Sequence, residues 1–212
     1  MHKDPKELPL RERKKLRTRQ ALVDTALELF TARDFTGVTL DEIVEAVEVS
    51  KRTFFRTFTS KEDVALAPEK ELWAAYLTDI ETRPLTGEHL LGAYKDALFA
   101  ALEQMTDGWE RRFLASRSLA DRTPALAAHS LRHCSEVSAD IVRIVADRLA
   151  AQSPGRTELR LLLDLMVAAW HCALEAWASS DAARQDRAAL IRHMRKAFAA
   201  IPVVAALAAQ DS

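Results

Sequence analysis

The segment Thr39–Lys61, TLDEIVEAVEVSKRTFFRTFTSK, constrains this chain more than any other. Leu40, Ile43, Val44 and Val47 recur at the three- and four-residue spacing of one buried helical face. Thr39 stands ahead of them as an N-cap, its hydroxyl placed to accept from an otherwise orphan N–H near Glu42. A tight turn is predicted at Val47–Val49, and Ser50 caps a second, short helix running through Phe58. That helix carries Lys51, Arg52, Thr53, Arg56 and Thr57 outward, too many polar groups for a packing element, while its phenylalanines hold it to the rest of the domain. Two helices joined this way, the second polar on its free side, have the shape that puts a helix N-terminus into the DNA major groove.

The roles differ by residue. Ser50 and Thr53, in the first turn, lie close to phosphates and base edges. Lys51, Arg52 and Arg56 are the candidate guanine readers, because an arginine fork bonds two major-groove acceptors at once. Thr39 and Lys61 are candidate backbone clamps, Thr39 through the helix N-terminus that it caps. Phe54 and Phe58 read as core. Phe55 fits equally well in the core or against a sugar-phosphate or thymine methyl.

The net charge of −1 says nothing for nucleic acid, but its distribution does. Bases outnumber acids up to Lys61 and acids outnumber bases beyond it. Arg11, Arg13, Lys14, Lys15, Arg17 and Arg19 crowd one short stretch with the single acid Glu12, a cluster suited to neutralising phosphates.

From about Arg11 to Val64 the chain resembles the TetR family of one-component transcriptional regulators. The likeness rests on Ala26, Leu29 and Phe30 in a long first helix, Gly37, Thr39, Asp41-Glu42-Ile43, Val49-Ser50, Phe54-Phe55, Phe58 and Lys61-Glu62. It implies an all-α fold, a three-helix helix-turn-helix domain followed by a helical ligand-binding and dimerisation domain. It also implies a repressor that binds a palindromic operator as a dimer and is released by a small effector. On that basis residues 1–62 form the DNA-binding domain, with 1–10 a flexible arm, and residues 63–212 form the second domain. Three positions depart from the family pattern: Glu48 and Arg52 stand where glycine is frequent, and Thr57 where an aromatic is frequent. Glu48 must then tolerate a Cβ at positive φ, at a cost of about 1 kcal/mol.

The rest of the chain agrees with this class. Glycine is scarce (5) and proline sparse (7), as an all-helical protein requires. The first helix is expected over Arg11–Arg33, and Ser60 caps a fourth that Pro68 bends before it runs on to about Arg83. Five further stretches are expected, Glu88–Thr106, Trp109–Leu119, Pro124–Ala151, Thr157–Ser179 and Arg184–Ala208, the last kinked or ended near Ile201 by Pro202. The last two are apolar around much of their circumference, so they need cover on more than one side, from a monomer core or from their mates in a homodimer; one helix-turn-helix reads too few bases alone, and the resemblance implies the homodimer.

A sensor also needs a pocket. The aromatic and polar candidates are Trp73, Tyr76, Tyr94, Phe99, Met105, Trp109, Phe113, His133, Trp170 and His171, and their composition suggests a hydrophobic or aromatic effector. No P-loop, G-x-S-x-G elbow or H-E-x-x-H occurs, so no catalytic residue or cofactor is assigned. His129 and His133 share a helical face beside Cys134 but lack a third convergent ligand, so no metal is assigned. Cys134 and Cys172 carry no pairing motif, no apolar run approaches about 18 residues, and the polar N-terminus is no secretory signal. A cytoplasmic protein with no membrane partner is the expectation. The alternatives are a helical enzyme or carrier with an incidental basic N-terminus, and an architectural DNA-binding protein without an effector.

Overall fold

The computed structural model describes residues 9–86, 89–149, 154–181 and 185–209. Among these there are ten helices and no strand: α1 (Leu10–Arg33), α2 (Leu40–Ala46), α3 (Lys51–Phe55), α4 (Lys61–Ala65), α5 (Ala67–Thr82), α6 (Leu90–Glu103), α7 (Trp109–Arg122), α8 (Pro124–Leu149), α9 (Arg156–Ala178) and α10 (Arg187–Ala209). The all-α class follows as expected. Most of the expected arm, and the breaks at Gly87, at Gln152 and around Ala183, lie outside the described residues.

The chain forms two compact units. The first joins the described residues up to Glu71 with Arg111–His133. Its core gathers Leu22, Ala26 and Phe30 of α1, Ile43 and Val44 of α2, Phe54 of α3, Phe58 and Val64, with Leu119 and Leu126 closing it from α7 and α8. α1 therefore serves as the spine against which the short helices lie. The turn out of α1 is tight: Asp34 adopts φ 60, and a Cβ at Gly37 would run into the Arg33 carbonyl oxygen. Glycine is required there by close approach.

The second unit joins Leu72–Glu110 with the described residues from Cys134 onward. α9 and α10 pack extensively on each other, and α6 packs on α9. The core is built from Tyr94, Leu98 and Leu102 of α6, Leu163, Met166, Trp170 and Trp177 of α9, and Leu190 and Met194 of α10. α10 does not end near Ile201 but continues through Pro202 to Ala209. α9 corrects one expectation: by length and by a mean hydropathy of 1.4 over its most apolar window it could cross a membrane. Its buried stripe, Leu159, Leu163, Met166, Trp170, Leu174 and Trp177, is that of a core helix.

α3 is shorter than expected. It ends at Phe55, because Thr57 N–H donates to Phe54 O at 2.8 Å and tightens the chain into a turn. Thr57 Oγ1 also donates back to Thr53 O at 3.1 Å. Before α3, Glu48 stands at φ 56, the left-handed conformation anticipated for that turn. Removing its Cβ should relieve the strain. Glu48→Gly is expected to raise stability by about 1 kcal/mol in urea or thermal unfolding; unchanged or lower stability would show that Glu48 is not strained.

Candidate nucleic-acid interface

Two caps set the geometry of the reading head. Thr39 and Glu42 form a complete capping box on α2. Glu42 N–H donates to Thr39 Oγ1 at 3.3 Å, and Thr39 N–H donates to Glu42 Oε2 at 2.7 Å. Arg33 reaches across from α1 to Glu42 Oε1 at 2.8 Å. These contacts hold the Glu42 carboxyl at about 2, below its ordinary 4.5, the Thr39 backbone N–H being the main cause and Arg33 the next. On α3, Ser50 Oγ accepts from Thr53 N–H at 3.2 Å and lies 3.2 Å from Thr53 Oγ1. Both hydroxyls are thus engaged with each other at the helix start.

Burial then divides α3 into two faces. Phe54 is wholly buried and Phe58 nearly so, whereas Phe55 is 54% exposed. That resolves the open question on Phe55: its ring is on the free side, edge-on to Phe54 at 5.5 Å. Lys51, Arg52 and Arg56 are exposed beside it. Lys51 is paired with Asp41 across the turn at 2.7 Å, a solvated pair worth about 0–1 kcal/mol and readily exchanged for a phosphate. Arg19 of α1 stacks its guanidinium 4.6 Å from the Phe58 ring, so the anchor is gripped from both ends.

Lys61 is placed differently from a free clamp. Its Nζ donates to Phe35 O at 2.7 Å and Val38 O at 2.8 Å, 4.2 Å above the Phe35 ring. Two of its three donors are therefore spent holding the α1–α2 connection, leaving one for a phosphate. Beside α3, a concave groove is lined by Arg11, Lys14, Lys15 and Thr18 of α1 together with Arg56 and Thr57. The N-terminal basic cluster and the end of α3 thus share one wall. Arg11, Lys14 and Lys15 were legible as a cluster but not as neighbours of Arg56.

The comparisons with known proteins agree with this geometry. Residues 22–67 match the family described as "Bacterial regulatory proteins, tetR family". The HTH-type transcriptional regulator TcmR of Streptomyces glaucescens is 43% identical over 144 residues, covering 66% of this chain and 63% of TcmR. Over these residues the chain is similar to regulators of the tetR family. The HTH-type transcriptional repressor NemR of Escherichia coli K12 is 34% identical over 87 residues, covering 41% of this chain and 42% of NemR. The match thus spans less than two thirds of either relative. A crystal structure of a tetR-family transcriptional regulator from Mesorhizobium loti superposes with a TM-score of 0.54 at 18% identity, covering 90% of this chain and 97% of that one; it carries the fold alone.

The aromatic candidates are divided between the two units. Trp73, Tyr76, Tyr94, Phe99, Met105, Trp109, Trp170 and His171 belong to the second, Phe113 and His133 to the first. Trp73 stacks edge-on with Tyr76 at 5.7 Å and with Trp170 at 6.4 Å. The Tyr76 and Tyr94 hydroxyls are buried with no hydrogen-bond partner among the described residues. Burial pushes the Tyr76 phenol well up and Tyr94 to about 12, so both are neutral donors. Phe99 instead faces a surface groove with Phe198, Lys95 and Arg195, and His171 is exposed. The structure does not bring these two into the Trp73–Tyr76–Trp170 cluster.

The capping box has a pH signature. Its carboxylate is favoured in the folded state, so its contribution is present above pH 4.5 and fades as pH falls toward 2. Acid unfolding followed by circular dichroism should be shallower over that window in Glu42→Gln than in the native protein. Superimposable curves would remove Glu42 from the account of acid stability.

Proposed function

We propose that this protein is a DNA-binding transcriptional regulator, a repressor that holds a palindromic operator as a homodimer and releases it on binding a small apolar or aromatic effector. The observation that carries the reading is the division of α3, with Phe54 buried and Arg52, Phe55 and Arg56 presented together on the free side. In this reading residues 1–62 are the DNA-binding domain and residues 63–212 the effector and dimerisation domain. Thr39, Ser50, Lys51, Arg52, Thr53, Phe55, Arg56 and Lys61 contact DNA. The relatives' names, regulator and repressor, support a regulator rather than an enzyme, and a cytoplasmic one.

Dimerisation has support from exposure. Leu161 and Leu165 of α9 and Val203, Val204 and Leu207 of α10 are all open to solvent in the single chain. Large apolar side chains repeated on adjoining helices are the mark of a surface that a partner covers. A second copy placed on this face gives two reading heads related by a two-fold axis, which a palindrome requires. Trp73, Tyr76, Tyr94 and Trp170 are the strongest candidates to meet the effector, because they combine apolar rings with two unspent hydroxyl donors.

The test starts from a randomised duplex pool retained at low ionic strength. Affinity for the enriched sequence should fall steeply with salt, as phosphate neutralisation demands. Arg52→Ala should cost about 1–3 kcal/mol on that duplex and relax the preference at one base position. Unchanged affinity and selectivity would remove Arg52 from the readers, and no enrichment at all would remove the function.

A further inference from the structure

Lys70 of α5 stands between two helices of the first unit. Its Nζ donates to Asp63 Oδ1 of α4 at 2.6 Å and lies 3.3 Å from His129 Nε2 of α8. The pair is largely withdrawn from solvent, with side-chain exposures of 23% for Lys70 and 15% for Asp63. An ammonium has donors and no acceptor, so the contact with His129 is a hydrogen bond only while Nε2 keeps its lone pair. Adding a proton to that imidazole sets two cations face to face in a half-buried place.

Asp63 is also tied to the connection between α3 and α4, just ahead of the Ser60 cap. Its Oδ2 accepts from the Thr59 backbone N–H at 2.8 Å and from Thr59 Oγ1 at 3.1 Å. Burial pushes this carboxyl up, but the bonds from Lys70 and Thr59 outweigh it and hold it below its ordinary value. The next residue of α8 makes a second tie, Ser130 Oγ donating to the Glu69 carboxylate at 2.9 and 3.0 Å. Arg117 of α7 lies close enough to act on Glu69, and Arg132 and His133 continue α8 beyond the contact. α8 itself runs unbroken from Pro124 to Leu149, its first part packed in the first unit and the remainder in the second.

We propose that Lys70 is a positioning residue of the reading head and that its contact with His129 is a proton-operated latch. Neutral His129 holds Lys70, and through it Asp63 and Thr59, in the place that orients α3; protonated His129 releases them, and DNA affinity drops. The affinity half of the proposal rests on reading α3 as the DNA-reading helix; the latch itself does not. His129 and Lys70 lie outside the residues proposed to touch DNA or effector, so the device is additional to both.

The experiment compares the native chain with His129→Gln, whose amide oxygen still accepts from Lys70 but does not titrate. Amide hydrogen exchange over residues 56–63, without DNA, and affinity for the enriched duplex are each measured at about pH 8 and about pH 5.5, the two sides of the histidine range. Acidification should loosen the Thr59 amide in the native protein and not in the variant. It should also weaken native binding relative to the variant by at least about fivefold, the low end of ordinary coupling between sites. Identical exchange in the two proteins, as when protonated His129 simply takes over Asp63, overturns the latch. Failure of either protein to hold DNA at any pH counts against the DNA reading and the affinity half together, while the exchange result still decides the latch.

Discussion

The burial of Phe54 is the interaction on which the rest of the reading head depends. A helix of one and a half turns has no stability of its own in water, because nucleation fixes more dihedrals than its few hydrogen bonds repay. α3 exists because Phe54 is wholly buried in the core that α1 and α2 supply, with Phe58 close behind it. Once that ring is fixed, helical geometry sets the directions of its neighbours: Arg52, Phe55 and Arg56 must face outward. Ser50 then fixes the other end, its side chain taking up a backbone N–H that the first turn leaves orphaned. Anchor and cap together aim the helix.

Much of this was legible because it is local. Caps are written in adjacent residues, so Thr39, Ser50 and Ser60 could each be placed from the sequence, and all three accept the expected backbone N–H. The positive φ at Glu48 was legible only through the family resemblance, which places glycine at that position. Less legible were features made by distant segments meeting. Lys61 reads from the sequence as a DNA-backbone clamp, yet its ammonium is also held by carbonyls of Phe35 and Val38, a link that no spacing rule reveals. The tie from Lys70 to His129 belongs to the same class, as does the groove that unites Arg56 with Lys14 and Lys15. Helix ends were also missed where a single bond decides them, as when Thr57 closes onto Phe54 and stops α3 early.

The second unit follows a different logic. Its apolar stripes on α6, α9 and α10 specify a core but leave polar groups inside it. Burying a hydroxyl without a partner costs about 1–3 kcal/mol, and among the described residues of this unit Tyr76 and Tyr94 carry such groups. A ligand that offers an acceptor to either phenol would recover part of that cost, which makes effector binding and the rigidity of the unit parts of one energetic question. Exposed Leu161, Val203 and Leu207 raise a parallel question for α9 and α10, which the proposed second copy of the chain would answer.

The most direct trial of the central claim is a hydroxyl-radical footprint on the duplex enriched from the random pool. Two reading heads presented by a symmetric pair should protect two patches on one face of the DNA, their centres about one helical turn, roughly 34 Å, or a multiple of it apart. A single protected patch, or uniform weak protection along the whole duplex, would contradict the account of α3 as one half of a paired reader.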